Sequence, residues 1–399
     1  MPYPVAMEDT AAKSLSKYTL GQITLYYVKL GTMGFGGPVA LVGYMHRDLV
    51  EEKGWLTEQE YKEGLALAQL APGPLAAQLA IYIGFIHYGL TGATLTGLAF
   101  IAPSFLMVVL LGMAYQLYGG LGWMQAVFYG VGAAVIGIIA ISAYKLTIKS
   151  ISKFEFRAIK TKWLLWLFYI AGLGITVVTQ KEEILLFLAS GMGYMLIKAP
   201  PQWLKKPSVL PAALLIGGGF WKDDGKVLLD MGWFFLKAGA FVFGSGLAIV
   251  PFLHGGVVKE FGWLNEKQFV DAVAVAMITP GPVVITVSFI GYLIAGFPGA
   301  CVAALATFLP CYLFTIALAP SFTKIAKNTS IKAFVDGITA SVVGALVGSV
   351  IIMGARSIID IPTALITIAS MAILIFIKKI REPYIIGTAA VVGLLIKSL

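Results

Sequence analysis

Phe35-Gly36-Gly37-Pro38, Gly54-Trp55-Leu56 and Pro72-Gly73-Pro74 punctuate the first half of this chain. They return as Phe243-Gly244-Ser245-Gly246, Gly262-Trp263-Leu264 and Pro280-Gly281-Pro282, each 208 positions after its first copy. Laid over one another without a gap, residues 27–74 and 235–282 share 18 identities, among them Lys29/Lys237, His46/His254 and Glu52/Glu260. Helix interiors avoid Gly for its backbone entropy and Pro for its missing N–H. An apolar half that is duplicated and interrupted at matching places therefore predicts discontinuous helices meeting at a site between two repeats.

The surrounding composition names the solvent. Of 399 residues, 59% are hydrophobic and 12% charged, and the mean hydropathy is +0.87. That excess of apolar sequence predicts an all-α polytopic membrane protein, since only helices and closed barrels satisfy their backbone in lipid. At about 20 residues per span, the apolar stretches suggest roughly 10 to 12 crossings, some too short to cross alone. The net charge of +9 fits Lys and Arg in cytoplasmic loops better than a nucleic-acid surface, for no basic–aromatic patch is present. Cys301 and Cys311 stand in apolar helix without metal-ligand spacing, so neither a metal nor a cofactor is expected. Met1 to Ser16 are polar and mixed in charge, unlike a removable signal peptide. With no P-loop pattern, any transport is expected to run on a gradient or passively.

Three units follow: an N-terminal repeat over 1–200, a linker helix and loop over 201–226 with its apolar piece at Ser208 to Phe220, and a C-terminal repeat over 227–399. In the first repeat, helices are expected from Tyr18 to Gly37, from Pro38 to Lys53, from Thr57 to Ala71, on to about Leu90, then near 92–118, 123–144, 163–179 and 183–197. Whether 38–53 and 57–71 cross fully or re-enter is left open by the sequence. Loop charge gives the orientation. Lys145, Lys149, Lys153, Arg157, Lys160 and Lys162 crowd one connection, whereas its counterpart, Arg356 to Asp360, is nearly neutral. The uncharged turn Gly119 to Gly122 corresponds to a segment holding Lys324, Lys327 and Lys332, and the acidic turn Gln180 to Glu183 to one holding Lys378, Lys379 and Arg381. Positive charge changes sides between the halves, so the repeats are expected to be inverted, their half-helices meeting near the midplane.

Pro is favoured at the first helical position, so Pro38 and Pro74 read as helix starts, with equivalents near Gly246 and Pro282. Gly36, Gly37, Pro72, Gly73, Gly244, Ser245, Pro280 and Gly281 complete the breaks. Irregular backbone at bilayer depth survives where it faces protein or a wet cavity. A helix start there directs amides and a positive dipole end at the cavity, which suits an anion. The plain alternative is a kink or a packing point. An ammonium in hydrocarbon costs about 2.5–3.5 kcal/mol even on insertion scales, so Lys29 and Lys237 are expected to face a cavity or to snorkel to a surface. Arg47 has no counterpart. Gln69, Gln78, Thr279, Thr286 and Ser288 stand beside the breaks and offer hydrogen bonds to an oxyanion, or to their own backbone. His46, His254, Glu63 and Asp271 are paired by the repeat and offer a coupling proton, or an interfacial role.

Val28-Lys29-Leu30-Gly31, Gly34-Phe35-Gly36-Gly37-Pro38, Gly54-Trp55-Leu56 and Leu67 to Ala76 resemble the chromate ion transporter family. Lys237-Ala238-Gly239, Phe243-Gly244, Gly262-Trp263-Leu264 and Thr279-Pro280-Gly281-Pro282 resemble that family's other repeat. The likeness spans nearly the whole chain. It departs at Leu41, where the family often has His, and at Gly244-Ser245-Gly246. The resemblance implies a long, two-repeat secondary transporter in the cytoplasmic membrane that exports chromate, a tetrahedral dianion shaped like sulfate. A carrier for another small anion is the alternative, and a homodimer is left open. A membrane-embedded enzyme would need convergent catalytic groups at depth, which the repeats do not offer.

Overall fold

A computed structural model of the chain describes residues 18–35, 37–152, 160–180, 184–201, 227–242, 246–322, 328–377, 380 and 382–398. Gly36, Gly244, Ser245, the linker helix expected over Ser208 to Phe220, and the loop cations Lys153, Arg157, Lys324, Lys327, Lys378, Lys379 and Arg381 lie outside the described residues.

Fourteen α-helices and no strand occur among the described residues. In the first repeat they are α1 (Leu20–Met33), α2 (Gly37–Met45), α3 (Glu58–Leu70), α4 (Leu75–Tyr118), α5 (Gly122–Ser150), α6 (Trp163–Thr179) and α7 (Ile184–Lys198). The second repeat follows with α8 (Val227–Ala240), α9 (Ile249–Leu253), α10 (Glu266–Ile278), α11 (Thr286–Leu318), α12 (Thr329–Ser357), α13 (Ile361–Phe376) and α14 (Glu382–Ser398). Two π-helical turns, His46–Glu52 and His254–Glu260, extend α2 and α9 at the 208-residue offset. Short 3₁₀ turns, Gly246–Ala248 and Val283–Ile285, replace the clean helix starts expected in the second repeat.

Sequence sets the element starts through capping side chains. Thr57 and Asn265 occupy one repeat position and cap α3 and α10, each in a reciprocal bond with the residue three further on, Glu60 or Gln268. Such a pairing satisfies two amides that a helix end leaves bare.

α4 is two arms, not one span. Gly89 (φ 59°, ψ −148°) reverses the chain, a conformation open in practice to glycine alone. The arms then run back along each other: the Thr96 hydroxyl donates to the Ala80 carbonyl at 2.8 Å. Gly296 (φ 61°, ψ −151°) does the same in α11. The separation expected near Leu90 is thus a tight reversal. The first arm, 75–88, rises about 21 Å and cannot cross a core of about 30 Å.

Aromatic contacts show where these short pieces end. Tyr18, at the start of α1, stacks on Trp55 at 4.8 Å and meets the edge of Tyr88 at 5.9 Å. The start of α1, the turn between α2 and α3, and the reversal of α4 therefore share one face of the protein. α1, α2, α3 and the arm 75–88 are half-crossings that leave this Tyr18 face and return to it. Residues 38–53 and 57–71 form a hairpin between the junction and this face, and with α1 and the arm 75–88 they are the apolar stretches too short to cross alone. Among the described residues, four stretches are long and apolar enough to cross by length and composition: α4 and Val283–Leu318, each holding a reversal, and α5 and α12.

α5 starts at the opposite face. There Tyr129 donates to Asp360 at 2.6 Å and Lys397 lies over the Tyr129 ring at 4.5 Å. Its counterpart α12 starts at the Tyr18 face, where Gly337 abuts Ser190 and Tyr194 near the end of α7, and ends at the Asp360 face, where Arg356 donates to Gln180 at 2.7 Å. The two repeats are inverted, as the loop charges predict. They are also interlocked: α5 packs against α13 and α14 of the other repeat, and α12 against α6 and α7. Small residues allow the close approach, Gly130 meeting the Ala389 backbone and Gly344 the Tyr169 backbone.

Candidate functional site

The breaks meet at the centre through two reciprocal bonds. The Gly73 amide donates to the Val242 carbonyl at 2.6 Å, and the Gly281 amide to the Gly34 carbonyl at 2.9 Å. Donors and acceptors are both related by the 208-residue offset, so each Pro-Gly-Pro turn docks onto the other repeat's first break. These two amides are therefore not free for an anion, a correction to the expectation that every break presents bare N–H groups. A buried amide must be satisfied, and here the partner repeat supplies the acceptor. Both glycines have positive φ, 141° and 96°. A Cβ on Gly73 would sit 2.9 Å from that of Cys311, and one on Gly281 would overlap the Ser104 hydroxyl.

A cavity of about 480 Å³ runs from the Tyr18 face to this junction. Gly34, Phe35, Gly37, Pro38 and Ala40 line it from the first break, and Thr279, Gly281 and Val283 from the second repeat. Ser142, Lys145 and Lys149 line it from α5, and Glu382 from α14. The N-terminus of α2 faces this space. The start of α2 carries the positive end of the helix dipole, and two ammonium groups stand on the approach. The arrangement can attract, desolvate and coordinate a small anion.

A second cavity of about 590 Å³ opens on the Asp360 face. Gln125, Tyr129, Gly132 and Ala133 of α5 line it, with Glu266, Lys267, Val270 and Asp271 of α10, Arg356, and Lys397. Asp271 is buried and accepts from the Tyr115 hydroxyl at 2.7 Å. At the rim, the Tyr129 hydroxyl and the Thr363 amide hold the Asp360 carboxyl below the usual carboxylate range. The two cavities share α5 and α10. Between them lie Ala134 to Gly137 and Ala272 to Val275, all buried.

Several candidates lie elsewhere. Lys29 is exposed on α1, because Ile23, Tyr27 and Leu30 turn the opposite face inward. Lys237 is half-buried above the Trp233 ring at 5.9 Å. Neither lines a cavity described here. Arg47 is exposed, bonded to Asp48 at 2.7 Å, and Gln69 is exposed. Pro72, Pro74, Pro280 and Pro282 shape the junction without lining the first cavity. Gly246 packs on Val284. Gln78 donates to the Pro72 carbonyl at 2.8 Å and so braces the turn. Thr279 and Thr286 donate to backbone carbonyls at 3.1 and 2.7 Å, and Ser288 is buried. Glu63 accepts from Gln59 at 3.0 Å near the Tyr18 face. His46 and His254 bond Glu58 at 2.9 Å and Glu266 at 2.8 Å, which ties each π-helical turn to the next helix.

Lys145 and Lys149, expected in a connection, are the cavity cations of α5. They extend α5 beyond its apolar run, at a helical spacing of four that puts both on one face.

Comparison with known proteins follows this architecture. The chromate transporter family's model matches residues 21–195 and 229–394, one segment per repeat. The chain is 60% identical to the chromate transport protein of Cupriavidus metallidurans, over 99% of this chain and 98% of that one. It is 57% identical to a probable chromate transport protein of Synechococcus elongatus, over 95% and 96%, and 28% identical to a chromate transport protein of Pseudomonas aeruginosa, over 82% and 79%. No solved structure matches.

Proposed function

The chain belongs to the chromate transporter family, and from that premise we propose that it is a secondary carrier exporting chromate, or an anion of sulfate-like shape, through the cavity on the Tyr18 face. One observation carries the reading: that cavity ends where both repeats' breaks converge, with Lys145 and Lys149 along its wall and the start of α2 at its end. A dianion entering there trades water for oriented amides and ammonium groups. Charge-assisted hydrogen bonds of this kind are worth about 1.5–3 kcal/mol each.

The Tyr18 face is the cytoplasmic one in this reading. Lys145, Lys149, Lys160 and Lys162 gather there, as the distribution of positive charge in membrane proteins requires. The protein then sits in the cytoplasmic membrane, open to the inside and closed by α10 and α5 toward the outside. With no nucleotide-hydrolysing motif in the sequence, a gradient drives the cycle.

Proteoliposomes test this directly. Vesicles carrying the protein, given radiolabelled chromate and an imposed ion gradient, are expected to move it faster than empty vesicles, with excess sulfate competing. No chromate flux from well-folded protein under any gradient sinks the carrier reading.

A further inference from the structure

Inverted repeats of one sequence pattern would be related by a twofold rotation in a symmetric molecule, and here they are not equivalent. α10 lies against both α5 and α12, whereas its counterpart α3 makes no comparable approach to either. Phe269 to Met277 of α10 are buried without interruption, while α3 buries only Tyr61, Gly64, Leu67 and Ala68.

The ion pairs at the two helix starts differ in the same sense. Glu266, the first residue of α10, contacts His254, Lys259 at 2.9 Å and Arg356 at the end of α12. That cluster pins α10 across the Asp360 face. Glu58, the first residue of α3, holds His46 in the same way. Its other oxygen goes to Lys62, one turn along its own helix, at 3.2 Å. α5 and α12 are both 29 residues long; aligned end to end, they put Lys149 in the place of Arg356. Lys149 lines the open cavity and makes no ion pair among the described residues. Where the second repeat has Lys259, the first has Glu51, which lies 3.1 Å from His46. Two carboxylates, Glu51 and Glu58, thus flank His46 between α2 and α3, and Lys149 at the end of α5 has no ion pair among the described residues.

We propose that Glu58–Lys149 and Glu266–Arg356 are alternating latches: the second holds α10 against α5 and α12 in this structure, so that the cavity on the Asp360 face stops short of the junction, and the first forms in its place when α3 swings against α5 and α12 and closes the Tyr18 face. The inference rests on the carrier reading and deepens it, for it names the residues that exchange partners as access changes sides. A surface pair is worth at most about 1 kcal/mol, a size that lets one latch open without trapping the cycle. The cluster of one carboxylate and two cations around Glu266 is replaced, in the other state, by one around Glu58 in which Glu51 takes the place of the second cation.

Paired cysteines test it in a Cys301→Ser/Cys311→Ala parent shown to transport chromate. Glu58→Cys with Lys149→Cys is expected to cross-link under oxidation, to stop transport reversibly, and to open Val273→Cys, buried between the two cavities, to an impermeant maleimide from the Asp360 face. Glu266→Cys with Arg356→Cys is expected to cross-link as well, leaving Val273→Cys protected. Failure of the Glu58/Lys149 pair to cross-link in protein that still moves chromate overturns the latch and leaves the carrier standing; a parent without chromate flux sinks the carrier itself. Should the cysteine pairs not fold, a single charge reversal that leaves both cavity ammonium groups in place decides. Glu58→Lys is expected to slow transport at least fivefold and to lower the labelling of Val273→Cys from the Asp360 face during turnover. Unchanged transport and labelling overturn the proposal.

Discussion

At the scale of single residues, charge and direction matter more than burial. Lys145 and Lys29 are both lysines on apolar helices, yet only Lys145 lines the cavity that ends at the breaks. Replacing Lys145 by Gln removes one charge-assisted contact from the path of a dianion. With each tenfold in affinity equal to about 1.4 kcal/mol, the half-saturating chromate concentration is expected to rise at least about tenfold. Lys29→Gln is expected to change it less than about twofold, and flux measured against chromate concentration in vesicles checks both. Nothing in the sequence separates these two lysines. α4, α5, α11 and α12 are apolar nearly all round, so they carry no amphipathic stripe from which an inward face could be read. The repeat even argues the wrong way, since Lys29 recurs as Lys237 whereas Lys145 corresponds to Ile352. Site composition is thus legible only where a residue type has one physical use, as with the glycines at positive φ.

Among the elements, the reversal at Gly89 and Gly296 decides how much chain crosses the membrane. A Cβ at either glycine meets nothing within 4 Å, so substitution there tests backbone strain alone. Gly89→Ala and Gly296→Ala are each expected to cost about 1–3 kcal/mol, seen as a lower unfolding temperature in detergent, with Gly120→Ala, also in open space, as an unstrained reference. Much of this level is legible in advance. The 208-residue offset places both π-helical turns, α3 and α10 to the residue, because caps and turns are local chemistry. By the reversal, Gly89 and Gly296, the offset is 207, and it stays so for α5 and α12. Missing from the sequence is the destination of each half-helix. Tyr18, Trp55 and Tyr88 are far apart in sequence and reveal only by contact that α1 to the first arm of α4 occupy one leaflet. The exchange of Gly73 and Gly281 amides across the junction is likewise tertiary, and no local pattern announces it.

For the whole molecule, the decisive quantity is the free-energy difference between the state open at the Tyr18 face and its inverted counterpart. The interlocked scaffold of α5 and α12 with α6, α7, α13 and α14 stays fixed by backbone-level contacts, while the half-crossing hairpins carry the asymmetry. Moving a two-state population from 1:99 to 99:1 takes about 5.5 kcal/mol, whereas an overpacked contact costs about 1–3 kcal/mol. One wedge can therefore shift the balance about fivefold to a hundredfold without inverting it. Gly132 is the place to put it, since a Cβ there would lie 3.3 Å from Val270 of α10, at the floor of the second cavity. Gly132→Leu crowds the packed hairpin in this state alone and leaves α3 untouched. It is expected to raise the labelling rate of Val273→Cys, a fully buried residue of α10, from the Asp360 face by about fivefold or more, and to lower the labelling of Ser142→Cys from the Tyr18 face. Equal labelling of both cysteines with and without the wedge, in protein of unchanged melting temperature, would mean that α10 does not leave α5 and that the asymmetry of the repeats is a permanent feature of the fold.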